Sequence, residues 1–184
     1  WFTKASIEMQ MGEIGAAIKS INKTIKFDNS NANAYFLLGN ARLIQKKHIN
    51  ALQAFQKAKD INPKLWQAMN NEGLIYFELG KKKKAIQLWR KVLIIEEDAE
   101  PKLALAIALY SMEPNNTESI KLAKEALQAN PNYFFQEHQK EQLWGQKLQI
   151  AGKELLKNPK LDAVVKKAQA NSNLSNKNKN KTGN

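Results

Sequence analysis

The sequence predicts an all-α chain of stacked antiparallel helix hairpins forming an α-α superhelix, closed by a C-terminal capping helix. Three observations carry that prediction: a 34-residue recurrence, helical spacing of apolar residues within each unit, and a composition poor in breakers. Among 184 residues there are only 8 Gly and 5 Pro. Self-alignment at an offset of 34 superposes Ala5, Gly39 and Gly73, then Ala17, Ala51 and Ala85, then Ile21, Phe55 and Trp89. At twice that offset Gly12 falls on Gly80 and Pro63 on Pro131. A repeat of this length is one supersecondary unit that buries its faces only against its neighbours.

Each element follows in order. In the second unit Tyr35, Leu38, Gly39 and Arg42 recur at i, i+3, i+4 and i+7, which defines a first helix with a small residue where another helix must come close. Ala51, Phe55 and Ala58 give one face of a second helix, and Asn62-Pro63 ends it, because proline disfavours a helical residue before it. The units divide as 1–31 (lacking its opening residues), 32–65, 66–99 and 100–133, the last degenerate, with Ile107 where a small residue is expected. Residues 134–170 read as a capping helix and a short further helix, with the stretch from Tyr133 to Pro159 as one long amphipathic helix that covers the apolar end of the array. Residues 171–184 are Lys- and Asn-rich and predict a disordered tail.

The apolar share of 43% suits a folded domain. With no cysteine, disulfides, thiolate metal sites and cysteine nucleophiles are excluded, and a cytoplasmic or other reducing compartment is expected. No apolar run reaches the roughly 18 residues of a membrane span. The chain opens at Trp1 rather than Met, so an upstream targeting or anchor segment stays open. The net charge of +12 suggests anionic partners, but only Arg42 and Arg90 accompany the lysines, and arginine is the residue that reads phosphates and bases bidentately. Residues 153–184 alone hold eight lysines against Glu154 and Asp162. Nucleic acid is therefore not the expected partner. A Lys-rich peripheral binder of nucleic acid or an anionic membrane surface is the alternative reading.

The segments YFLLGNARLIQKKHINALQAFQKAKDINP and NEGLIYFELGKKKKAIQLWRKV resemble tetratricopeptide repeats, and the tail around QLWGQKL is similar to that of cyanobacterial and plastid members. The resemblance implies a solenoid that works as a protein–protein interaction module or scaffold, an assembly factor being one such use. It implies a concave groove lined by the first helix of each repeat, binding a peptide or partner helix. Carried over by repeat position, the groove comprises Asn33, Phe36, Asn40 and Leu43, then Gln67, Asn70, Leu74 and Phe77, then Ala104 and Ala108. Phe2, Ser6, Met9, Ile44, Ser111 and Met112 fall at further groove positions of the same repeats. Asparagine offers donors and an acceptor to a peptide backbone, and methionine adapts to varied shapes. The same apolar residues also suit packing between helices.

The carboxylate clamp by which some relatives hold chaperone C-terminal tails needs two Asn and three cations. Asn40 and Asn71 fill the Asn places, but Phe36, Pro101 and Leu105 stand at the cationic ones, so no such tail is expected. Lys81–Lys84 and the acidic run Glu96, Glu97, Asp98 and Glu100 read as solvated edges, or as a docking patch for an acidic partner or an anionic membrane surface. No cofactor, metal site or catalytic residue is expected: phosphate-cradling and nucleophile motifs are missing, and His138 with Glu141 at i, i+3 is at most half a metal site.

Overall fold

The computed structural model describes residues 1–179, with no strand among them. Two compact units divide at Ile75 and Tyr76. The first holds α1 (Phe2–Gln10), α2 (Ile14–Phe27), α3 (Ala32–Ile44), α4 (His48–Ile61) and the opening of α5 (Trp66–Glu78). The second holds the end of α5, α6 (Lys82–Ile95), α7 (Ala99–Tyr110), α8 (Thr117–Ala129), α9 (Gln136–Glu141), α10 (Gln146–Leu156) and α11 (Asp162–Lys179).

The backbone keeps the sequence period. The second helices of the repeats end at Asp28, Asn62, Glu96 and Asn130, each extended and each 34 residues after the last, the degenerate fourth included. The turns within the first three hairpins place Gly12, Lys46 and Gly80 at φ of 76, 58 and 77°, the left-handed region that costs a side-chain-bearing residue. Lysine thus holds in the second repeat a conformation that glycine holds in the first and third. All nine of the superposed markers are buried.

In the first unit, Ala51, Phe55, Ala58, Ala68 and Ile75 form one core cluster, and Ala5, Ile18, Ile21 and Ala41 another. Gly39 is set by Phe55: a Cβ there would fall inside van der Waals contact with the Phe55 ring. The unexpected charges resolve locally. Buried Glu72 accepts from Lys59 Nζ at 2.6 Å, while exposed Lys4 lies 3.7 Å from Glu8 one turn on.

In the second unit α7 is the centre. From Ala99 to Ala108 every residue but Lys102 is buried. Ile107, where a small residue was expected, reaches Gly152 of α10, whose hypothetical Cβ would lie 3.0 Å from Ile107 Cδ1. The larger residue in α7 is thus matched by a glycine on the helix packed against it.

The expected long helix from Tyr133 to Pro159 is broken. A 3-10 turn spans Pro131–Phe134, Phe135 is extended, and α9 ends before Leu143, which adopts φ 63°. Trp144 and Gly145 then lead into α10. The break has a physical cause outside the segment. The Glu78 carboxylate caps α10 by accepting from the backbone N–H of Leu148 at 3.0 Å and of Lys147 at 3.2 Å. Gly145 is required there because a Cβ would collide with that carboxylate. A second 3-10 turn, Pro159–Leu161, precedes α11. Residues 171–179, expected to belong to a disordered tail, continue α11, since no proline or glycine interrupts it. Residues 180–184 of that tail lie outside the described residues.

Candidate partner-binding surface

On α3, the spacing of Asn33, Phe36, Asn40 and Leu43 places them along one face. Asn33 is exposed, and Phe36, Asn40 and Leu43 are half-buried. Phe36 lies against Phe55 with ring centroids 5.8 Å apart, and Leu43 packs on the same core cluster. Their inner edges therefore build the core while their outer edges remain accessible. Ile44 is exposed beside them. From the opening of α5, Gln67 is half-buried, but Asn70 and Leu74 are each 1% exposed. A chain of amides links the two helices: Asn71 Nδ2 donates to Asn40 Oδ1 at 2.8 Å, and Asn70 Nδ2 approaches Asn71 Oδ1 at 3.5 Å. Asn70 Oδ1 is buried without a partner. The surface this unit offers is thus Asn33, the outer edges of Phe36, Asn40 and Leu43, Ile44 and Gln67. Asn70 and Leu74 lie behind it. From the first repeat, Phe2, Ser6 and Met9 are half-buried, and Ser6 Oγ donates to Phe2 O within its own helix.

The second unit treats its expected groove residues differently. Phe77, Ala104 and Ala108 are buried, and Ala104 and Ala108 keep no exposed surface for a partner to touch. Phe77 packs on Trp89, with centroids 6.3 Å apart, and α10 is seated on α7. The chain's own C-terminal segment occupies that packing position. Ser111 is half-buried and donates to Ala108 O, and Met112 is exposed.

The segment that brings α10 into place is anchored by aromatic and acidic side chains. Trp144 Nε1 donates to Glu100 Oε1 at 3.0 Å, fully buried, and the Trp144 ring stacks on Tyr133 at 5.8 Å. Burial pushes the Tyr133 hydroxyl well above its ordinary range, and the neighbouring Glu100 and Asp98 carboxylates push the same way. The acidic run was expected as a solvated edge. Instead Glu100 is internal, Asp98 Oδ1 caps α7, and only Glu96 and Glu97 are exposed, Glu97 pairing with Lys102 at 3.1 Å.

Residues 2–65 and 67–98 each match a sequence pattern of tetratricopeptide repeats. The chain is a tetratricopeptide-repeat protein. Superkiller complex protein 3 of mouse and of human are 24% and 25% identical to it over 103 residues. That match spans 56% of this chain and 7% of the length of those relatives. Among solved structures, MamA is 26% identical and superposes with a TM-score of 0.63, covering 76% of this chain and 78% of its own. YrrB, described as a TPR protein with an unusual peptide-binding site, has the same fold, with 17% identity, a TM-score of 0.61 and 90% coverage of both chains.

Within this tetratricopeptide protein the clamp positions are spoken for. Asn40 and Asn71 bond to each other, while Pro101 and Leu105 are buried. His138 Nδ1 lies 3.7 Å from Glu141 Oε2, its Nε2 is buried without a partner, and its ring meets Tyr133 edge-on at 4.6 Å. No group of three or more His, Asp or Glu side chains among the described residues could share a metal ion. None of their helices is long and apolar enough to cross a membrane. Sequence reasoning missed Glu78, Glu100 and Trp144 as a set; the one local signal was the Trp144-Gly145 pair inside an otherwise helical stretch.

Proposed function

We propose that this tetratricopeptide protein is an interaction scaffold that takes an extended peptide or a helix of another protein along the α3 face of its first unit. The observation that carries the reading is the mixed stripe on α3 and the start of α5. Apolar edges of Phe36, Leu43 and Ile44 alternate with the amides of Asn33, Asn40 and Gln67. Asn40 Oδ1 is held by Asn71, which fixes its rotamer and leaves its Nδ2 to donate to a peptide carbonyl. Apolar edges bury surface against the partner, and the amides hydrogen-bond its backbone and fix its register. That a protein of similar fold, YrrB, carries a peptide-binding site is consistent with this use. The chaperone-tail mode is not part of the proposal, since no cation stands at Phe36, Pro101 or Leu105.

The test is site-specific photo-crosslinking of the full chain in a native extract. A photoreactive residue at Asn33 or Ile44 is expected to capture one discrete protein partner, and the same residue at Ile94, 86% exposed, is not. Asn40→Leu should lower the yield at both positions. Equal capture from all three sites, or none at Asn33 and Ile44, refutes the reading.

A further inference from the structure

Lys81–Lys84 form a run at the start of α6, with Lys81 as its N-cap and no acidic residue in its first turn. Four adjacent cations at the positive end of a helix dipole repel one another and the helix. Among the described residues none of the four pairs with a carboxylate. Instead three of them lie on aromatic and carbonyl groups: Lys84 Nζ is 4.1 Å and Lys81 Nζ 6.0 Å from the Tyr76 ring centre, and Lys82 Nζ donates to Ser111 O at 3.2 Å. The arrangement is costly as it stands, and an acidic counterpart removes the cost.

The lysines also border recessed apolar surface. One cleft of about 500 Å³ is lined by Gly80, the four lysines and Met112. A second, of about 280 Å³, is lined by Phe77, Gly80, Lys82, Lys147, Ile150 and Ala151. Gly80 and Lys82 line both, so the two clefts adjoin as a trough beside the start of α6. Two of its apolar residues are open to solvent: Ile150 is 55% exposed and Met112 48%. Lys147, like Lys82, donates its Nζ to a backbone carbonyl, that of Glu78, at 2.7 Å. The Glu78 carboxylate is hydrogen-bonded to the start of α10 and makes no direct ion pair with these lysines.

We propose that this trough in the second unit is a docking site for an acidic segment of another protein, carrying apolar side chains between its Asp and Glu residues. The site stands apart from the α3 face and does not depend on the reading of it. Charge complementarity selects an acidic occupant, and the exposed Met112 and Ile150 select one with aliphatic anchors. Nucleic acid fits less well: the cations are lysines without arginine, and Arg90 is bound bidentately by Glu118 at 2.7 Å.

The test uses the full chain and a labelled synthetic peptide of alternating Glu and Leu, read by fluorescence anisotropy. The expected dissociation constant is in the range of roughly 10–100 μM at physiological salt. Lys83→Glu with Lys84→Glu should weaken binding about tenfold or more, while Lys121→Glu with Lys124→Glu on α8, the same change in net charge, should leave it within about twofold. Replacing the peptide's Leu by Ser, or Ile150→Ser in the protein, should each cost about fivefold or more. Circular dichroism checks that every variant is folded. Equal loss from both charge-reversal pairs overturns the proposal, as does indifference to the Leu residues, because binding is then only to net charge. It is also overturned if the peptide does not bind but single-stranded RNA or phosphatidylserine vesicles do, with loss on Lys83→Glu and Lys84→Glu. Self-association that disappears on Glu96→Lys with Glu97→Lys, without peptide binding, overturns it in favour of a second copy of this chain.

Discussion

Gly39→Ala tests whether close approach of α3 to Phe55 sets the geometry of the first unit. On helix propensity alone the change is favourable by about 1 kcal/mol, since glycine is the poorest helix former after proline. The packing term opposes it. The three nearest atoms to the new methyl group all belong to the Phe55 ring, and even the third, Cζ, would stand at 2.8 Å. Phe55 has no exposed surface and its ring is held against Phe36, so it cannot retreat without disturbing the cluster with Ala51 and Ile75. Overpacking of this kind costs about 1–3 kcal/mol and occasionally more. With the ring so close we take the upper end, which leaves a net loss of about 2 kcal/mol after the propensity gain. For a chain of this size that corresponds to a melting temperature lower by roughly 4–8 °C. Urea and thermal unfolding followed by circular dichroism measure it. Gly15→Ala is the control: it is helical too, but nothing lies within 4 Å of its Cβ position, so the same substitution should stabilise by about 0.5–1 kcal/mol. Phe55→Leu in the Gly39→Ala background should recover part of the loss. A Gly39→Ala protein as stable as the parent would refute the close-approach argument.

Lys46→Gly should stabilise by about 1 kcal/mol, because it relieves a left-handed lysine at the position where the first and third repeats carry glycine; a shift in urea midpoint checks it. Lys59→Met should cost about 3 kcal/mol by leaving Glu72 buried without its cation, and Lys59→Met with Glu72→Leu should return most of it, as a double-mutant cycle in chemical unfolding would show. Glu78→Ala should uncap α10 at a cost of about 1–2 kcal/mol and raise amide hydrogen exchange at Lys147 and Leu148 before any change in α1–α4. The raised folded-state Tyr133 means that the unfolded chain gives up this proton first as pH climbs. Its contribution is complete below the ordinary tyrosine range near 10 and declines above it, so Tyr133→Phe should show a shallower alkaline loss of stability in a pH series.

The repeats were legible in the sequence because each one reuses the same close-packed positions. Ala17, Ala51 and Ala85 are all buried, as are Ile21, Phe55 and Trp89, and any period that conserves such contacts shows in a self-alignment. The α3 stripe could be placed by repeat position for the same reason. What repeat position cannot convey is which surfaces the chain spends on itself. Ala104 and Ala108 occupy groove positions by register, yet α10 packs on their helix and they are internal. The break at Trp144 was equally hidden. Local propensity from Gln136 to Leu156 favours continuous helix, and the groups that interrupt it, Glu78 and Glu100, are supplied from elsewhere in the chain. Glu72 looked like a packing fault until its partner Lys59, 13 residues away, was in view.

The capping of α10 has a kinetic side. In a repeat array most contacts join an element to the next one along, so ordering can propagate with little loop closure. Glu78 breaks that rule: its carboxylate waits for an N–H 70 residues further on, and Glu100 waits 44 residues for Trp144. These closures cannot form during synthesis until α10 has left the ribosome, even when α5 to α8 are already complete. Assembly of the second unit is therefore timed by its last segments, while in the first unit the hairpins α1–α2 and α3–α4 pack as soon as their own two helices are made.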